Sequence, residues 1–239
     1  MKQPATKVDS EVVELRLKDH VNFEGFKKNG RFVVPEEDKI LGGNDHFNPF
    51  TLDLTSNSSK VLVLQAYGIG ERGAMCLAAD LVRGACPFLE VLNLSHCEIT
   101  TRGFSKILHG LKIAKLKSVT ALDLRGNHLT PRALEYLREH LANGMLDSLT
   151  SLDLRENELG DEGAIALSRM FISGTLEHIQ DLHLQQNNIT DRGFLSLAKL
   201  MVHLWHQKAP KLERIGLELN RISPEAKRQI DPLPLFFSL

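Results

Sequence analysis

The sequence predicts an α/β fold, a curved solenoid of about six strand-helix repeats with a parallel sheet on the concave side and helices on the convex side. Three observations predict it. Apolar columns recur with starts at Ser59, Leu89, Val119, Leu149, Ile179 and Leu212, four steps of 30 residues and a last one of 33. Within each period the apolar spacing changes from two residues to about 3.6. An asparagine recurs at the ninth position of the last four periods. A fixed period of this size marks an array in which each unit buries its apolar face against its neighbours.

The strand comes first in each repeat. Leu62, Leu92, Leu122, Leu152, Leu182 and Ile215 form one apolar column, and Leu64, Leu94, Leu124, Leu154, Leu184 and Leu217 form the next. Alternation between them places both on one face of a short strand. The ninth position reads Tyr67, Cys97, Asn127, Asn157, Asn187 and Asn220. An inward asparagine there can satisfy backbone groups where the chain turns away from the strand, and stacked repeats would turn it into a ladder. Cys97 is a small, weakly hydrogen-bonding substitute in that column.

The helix follows. A small residue (Gly73, Gly103, Ala133, Gly163, Gly193, Ala226) precedes Leu77, Ile107, Leu137, Leu167, Leu197 and Ile230 by four places. Another step of four reaches Leu81, Leu111, Leu141, Phe171 and Met201, which gives the inner stripe of a helix of about three turns. Thr130-Pro131 and Ser223-Pro224 set a capping hydroxyl before a proline suited to the first helical position. Asp161, Glu162 and Asp191 bring negative charge to helix starts.

The flanks differ from the repeats. Residues 1–58 are expected to be an N-terminal capping or interaction segment, 59–230 the solenoid, and 231–239 an apolar C-terminal cap or docking tail. Val12, Leu15 and Leu17, and again Thr51 to Leu54, read as strand candidates. Phe23, Phe26, Phe32, Phe47 and Phe50 concentrate aromatic side chains that could cover a terminal apolar face. The alternative is an arm whose Phe32-Val33-Val34-Pro35 stretch adds to a partner. At the other end, Pro232 and Pro234 interrupt helix and leave Leu233, Leu235, Phe236 and Phe237 to fold over the last repeat or to dock elsewhere.

Segments such as LDLRGNHLTPRALEYL and LDLRENELGDEGAIAL resemble the ribonuclease-inhibitor-like subfamily of leucine-rich repeat proteins. The resemblance runs from Ser59 to Ile230. It implies the curved stack described above and says little about function, because folds of this kind host many unrelated roles.

Composition narrows the function. A net charge of −1 with 25% charged residues gives no general attraction to nucleic acid or an anionic membrane. No apolar run reaches the length of a membrane span, and the start lacks a signal-peptide apolar region. Cys76, Cys86 and Cys97 lack zinc spacing and read as cytosolic thiols, so a cytoplasmic location is expected. The sequons at Asn57, Asn93 and Asn188 carry little weight without export.

The outward strand positions supply the candidate site. One column reads Val63, Asn93, Asp123, Asp153, His183 and Gly216; its neighbour reads Gln65, Ser95, Arg125, Arg155, Gln185 and Glu218. Six strands at about 4.8 Å spacing offer a floor about 24 Å wide. Asn93, Asp123, Arg125, Asp153, Arg155, His183, Gln185 and Glu218 are the expected partner-binding residues. Asp123 with Arg125 and Asp153 with Arg155 are expected to form a checkerboard of charge in which the arginines anchor a partner.

Signals for catalysis are weak. His203 and His206 have helical spacing but no matching ligand pair. The arginines beside Asp123 and Asp153 would hold both carboxyls ionised and leave no proton donor. Gly68-Ile69-Gly70 falls inside the repeat frame and is too short for a phosphate loop. The chain is therefore read as a non-enzymatic protein-interaction module or scaffold, without cofactor, metal, nucleic acid or membrane, and as a candidate subunit of a larger complex. One alternative is a structural subunit of a cytoskeletal or axonemal assembly. Another is a GTPase-activating regulator resembling the Ran GTPase-activating proteins, which would use an arginine at the transferring phosphoryl group; the sequence departs from that family in having fewer repeats.

Overall fold

In the computed structural model, residues 27–28, 31–32, 60–66, 68–206, 211–230 and 237–238 are described, with no side-chain statement for 27–32, 200–206 or 237–238. The strand candidates around Val12 and Thr51 lie outside these residues, as do Tyr67 and residues 231–236. Lys27–Lys28 (β1) and Arg31–Phe32 (β2) pair antiparallel. The repeats then give six three-residue strands: Val61–Val63 (β3), Val91–Asn93 (β4), Ala121–Asp123 (β5), Ser151–Asp153 (β6), Asp181–His183 (β7) and Arg214–Gly216 (β8). All pair in parallel and in sequence order, so Leu62, Leu92, Leu122, Leu152, Leu182 and Ile215 stand in one row.

The C-terminal tail contributes Phe237–Ser238 (β9), which adds to the same sheet beside β8 with Ile215 opposite Phe237 and Gly216 opposite Ser238. The register thus continues the two strand columns by one more step. Backbone groups along β8 that would face outward as an edge have partners there.

Each parallel crossover is a helix: Gly70–Val82 (α1), Thr101–Ile113 (α2), Arg132–Leu141 (α3), Gly160–Ile172 (α4), Asp191–His206 (α5) and the short Pro224–Arg228 (α6). Their inner stripe joins the strand leucines in one continuous core from Leu62 to Ala226. Small residues let the helices approach. A Cβ at Gly110 would lie 2.8 Å from Ala78 Cα, so only glycine permits the α1–α2 contact at that point. Strands repeat at about 4.8 Å, whereas packed helices need 8–10 Å, so the array bends with its sheet inside.

The asparagine column ties each repeat to the one before. Asn127 Oδ1 accepts the N–H groups of Cys97 (3.2 Å) and Ile99 (2.9 Å), while Nδ2 donates to the carbonyls of Leu94 (2.9 Å) and Leu124 (2.8 Å). Asn157 accepts from Leu129 N–H (3.0 Å) and donates to Leu124, Leu154 and Arg155. Asn187 and Asn220 repeat the scheme. Cys97 serves the same carbonyl by another route, its thiol donating to Leu64 O at 2.7 Å.

The residue before this column turns the chain. Ala66, His96, Gly126, Glu156, Gln186 and Leu219 all have φ between 53° and 65°. Five of the six are not glycine, although left-handed backbone costs an L-residue about 1–2 kcal/mol. Where the following residue is an asparagine, after Gly126, Glu156, Gln186 and Leu219, its side-chain hydrogen bonds supply the compensation.

Helix starts carry a second set of ties. Asp161 in the first turn of α4 accepts the Thr190 N–H and hydroxyl (both 2.7 Å) and the Gly193 N–H (3.1 Å) of the next repeat. Asp191 does the same for Ser223 N–H (2.6 Å) and hydroxyl (2.8 Å). Ser223 also caps α6 through Ala226 N–H, as the Ser-Pro pattern predicts. Thr130 does not cap α3. That helix begins at Arg132 with Pro131 before it, and the Thr130 hydroxyl is instead 3.0 Å from that of Thr101 in the preceding repeat. Pro131 itself lies in αR backbone (φ −50°), which moves the helix start one residue beyond Thr130's reach.

Replacing Asn157 by leucine removes one acceptor and three donated bonds from a buried turn, and should cost about 1–3 kcal/mol in denaturant unfolding. An unchanged midpoint would show that the column does not hold the repeats. Asp161 gives a pH signature. Desolvation pushes its pKa up, but the hydrogen bonds from Thr190 and Gly193 and the nearby Arg192 charge outweigh it, leaving it below the ordinary carboxylate value. A depressed pKa means that its stabilisation is present above the unfolded value of about 3.9 and is lost as pH falls through the lower folded value. The stability advantage of the wild type over Asp161→Asn should therefore shrink between about pH 5 and pH 2 in thermal melts; an advantage that grows toward acid would contradict the assignment.

Candidate functional site

The outward residues of the sheet form the candidate site. Register alone places Asn93, Asp123, Asp153, His183 and Gly216 side by side across five strands. Two residues further along each strand, the chain begins its turn. There Asn93 Oδ1 accepts Ser95 N–H (2.9 Å), Asp123 Oδ1 accepts Arg125 N–H (3.0 Å), and Asp153 Oδ1 accepts Arg155 N–H (3.0 Å). The first column thus shapes the turn as well as facing outward, in the manner of an Asx turn.

The charges pair differently from the checkerboard expected. Arg155 does fold back on Asp153, its Nε 2.8 Å from Oδ2 and its Nη2 also on that oxygen. Arg125 does not return to Asp123. It reaches across to the next repeat, where Nε and Nη2 lie 2.7 and 2.6 Å from Glu156 Oε1. Two guanidinium groups stacked alike on neighbouring strands would stand about 4.8 Å apart and repel. Glu156, at the left-handed corner of its turn, offers Arg125 a way out. The sequence signal for this was an acidic residue immediately before the asparagine column and diagonal to an arginine.

Asp123 is left without a side-chain cation within 4 Å. Burial pushes its pKa up, the Arg125 N–H opposes that, and the Asp153 carboxylate adds to the rise. Asp153 is more deeply set, with 8% of its surface exposed, and its partner Arg155 is held above its ordinary pKa, first by that hydrogen bond.

Further along, His183 Nδ1 and Gln185 Oε1 are shut off from solvent with no hydrogen-bond partner. Gln185 lies over Gly216, where a Cβ would come 2.3 Å from Nε2. The glycine in the first column therefore makes room for the glutamine of the second. Glu218 has Arg214 Nη2 at 4.0 Å. The structure brings all eight expected residues onto one sheet face, in two groups: a paired charge cluster around Asp123 to Glu156, and an amide-imidazole group around His183 to Glu218.

A groove of about 470 Å³ lies elsewhere, between the loops after α3 and α4, lined by Leu141, Leu146, Leu149, Leu176 and Ile179. No group of three His, Cys, Asp or Glu among the described residues could hold a metal ion. No described helix is long and apolar enough to cross a membrane. The face can present hydrogen bonds and charge to another molecule.

Comparison with known proteins bears on the fold. The family model described as Leucine Rich repeat matches residues 85–108, 115–137, 147–168 and 175–198. Each match runs from the loop before a strand through that strand into the following helix, for β4 to β7. No curated protein matches the chain.

Proposed function

We propose that this leucine-rich repeat protein is a non-enzymatic interaction module or scaffold that grips a protein partner on the sheet face. Repeats of this kind generally mediate protein–protein interaction. One observation carries the reading for this chain. The centre of the sheet face sets the half-buried carboxylate of Asp123, with no side-chain cation within 4 Å among the described residues, beside Asp153 and two strands from His183. A half-buried carboxylate without a close cation gains when another chain supplies hydrogen bonds or a positive charge. The rigid register of the strands holds these groups in place before binding, which lowers the ordering cost.

The regulatory alternative needs an arginine that can reach a transferring phosphoryl group. Both sheet arginines are already bonded to carboxylates, Arg155 to Asp153 and Arg125 to Glu156, so it ranks second. A place in a cytoskeletal or axonemal assembly, in the cytoplasm, is compatible with the module and names one setting in which its partner would be found.

The test begins with a photo-reactive residue at Gln185 or, for comparison, at Glu162 on the helical side, used in native lysate to identify the partner. Affinity for that partner is then measured for Asp123→Asn combined with Arg125→Gln. These positions are preferable to Arg155, whose loss would strand the buried Asp153 charge. The double variant should melt within about 1 kcal/mol of wild type, since an exposed ion pair contributes little, and should lose at least about 2 kcal/mol of binding if it removes a central anchor. Crosslinking only from Glu162, with affinity unchanged, would move the interface to the helices.

A further inference from the structure

The second repeat carries an unusual charge pattern away from the sheet. Between Ile99 and Leu122 there is no Asp or Glu, yet Arg102, Lys106, Lys112, Lys115 and Lys117 fall in this stretch of a chain whose net charge is −1. Lys106, Lys112, Lys115 and Lys117 are all exposed, on α2 and the loop after it. The surrounding carboxylates are already taken: Glu71 by Arg102, Asp80 by Arg83 and Glu90 by Lys60. Among the described residues, none of these four lysines has a carboxylate within 4 Å.

Lys115 is the sharpest case. It occupies the position after the C-cap of α2 with φ 56°, the left-handed place that Gly84 and Gly174 fill after α1 and α4. Glycine is favoured there because it has no Cβ to crowd the backbone in the left-handed conformation. The left-handed turn is closed by Lys115 N–H on Lys112 O and Leu116 N–H on Leu111 O (both 3.1 Å), whereas the like charges around it have no carboxylate within 4 Å among the described residues.

Apolar side chains lie in the same region. Phe88 is 59% exposed, Ile113 49% and Val82 45%. Val82 and Ile113 are the last residues of α1 and α2, neighbouring helices that pack closely at Gly110 and Ala78, so both stand at the same end of the pair. Phe88 lies in the loop that leaves α1 at that end, and that loop is tied to the loop after α2 by the Ser118 hydroxyl on Leu89 O (2.7 Å).

We infer that this edge of the second repeat is a separate docking surface for an acidic protein segment that carries an apolar side chain, the lysines taking its carboxylates and the Phe88–Ile113–Val82 strip its apolar group. The chemistry favours such a segment over the other anionic surfaces. Four lysines would draw the surface toward an anionic bilayer, but apolar side chains that are half covered are poorly placed to insert. Phosphate backbones would use the lysines and leave the apolar strip idle. The surface is independent of the sheet face, so its failure leaves the reading of that face intact.

The test uses the full chain with a labelled peptide of about twelve residues, glutamate-rich around a central Leu-Phe pair, against the same peptide with glutamine for glutamate. Phosphatidylserine vesicles and duplex DNA form two further arms. The acidic peptide should bind at least about tenfold more tightly than its neutral counterpart, with affinity falling as salt rises. Amide shifts should centre on Phe88 and residues 106–117. Combined Lys106→Gln, Lys112→Gln and Lys117→Gln should weaken binding by at least about tenfold, and Phe88→Ser should weaken it separately. Lys115→Gly should raise the melting temperature and yet weaken binding, a split that a purely structural lysine would not produce. Absence of peptide binding, shifts centred on the sheet columns, binding indifferent to these variants, or preference for vesicles or DNA would each overturn the inference.

Discussion

The asparagine hydrogen bonds are the interaction on which the other features rest. A strand of three residues is too short to hold its place by pairing alone. Each Asn side chain binds carbonyls of its own repeat and the preceding one while accepting an N–H across the same junction. This couples the end of one strand to the start of the next helix and repeats at a constant step. The left-handed corner before the column, occupied by residues as unlike as Gly126, Glu156 and Leu219, is then imposed by the junction rather than chosen by the residue.

From that constraint the working surfaces follow. Because the junctions hold register, Asp123, Asp153 and His183 stand side by side without any direct bond between them. Because Glu156 is forced into the corner, it sits where Arg125 can reach it, and Asp123 is left without a cation. The aspartates at the helix starts extend the same principle to the helical side, Asp161 to Thr190 and Asp191 to Ser223. The second repeat lacks such an aspartate, and its Thr101 and Thr130 hydroxyls make the equivalent contact without charge. Its surplus of lysines is therefore not offset by the device used further along.

Much of this was legible in the residues. The strand columns, the helical stripe and the asparagine ladder depend on period and residue type, which a linear sequence carries directly. Ser223 as a helix cap was equally plain. Thr130 was not, because its choice between capping and Thr101 depends on a helix start one residue later than the pattern suggests. Arg125 was misjudged for a related reason: nearest neighbour in sequence is not nearest partner when the next strand is only about 4.8 Å away. The pairing of Phe237–Ser238 with β8 could not be foreseen from two prolines and an apolar tail, since period-two alternation over two residues is no signal. Strain at Lys115 was invisible for want of backbone angles, and the expectations for residues 1–26 and 33–58 fall outside the described structure.

Native-state hydrogen exchange at the repeat junctions tests the central claim most directly. The amides of Ile99, Leu129, Leu159 and Ile189 each donate to an asparagine side chain of the following repeat. If those bonds hold the array together, these four amides should exchange only by the largest openings of the structure, at the same protection as the strand amides of Leu122 and Leu152. Protection no greater than that of the turn amides at Lys115 and Lys117, which donate to carbonyls only two or three residues earlier in the chain, would contradict the account, and the repeats would then be held by apolar stacking alone.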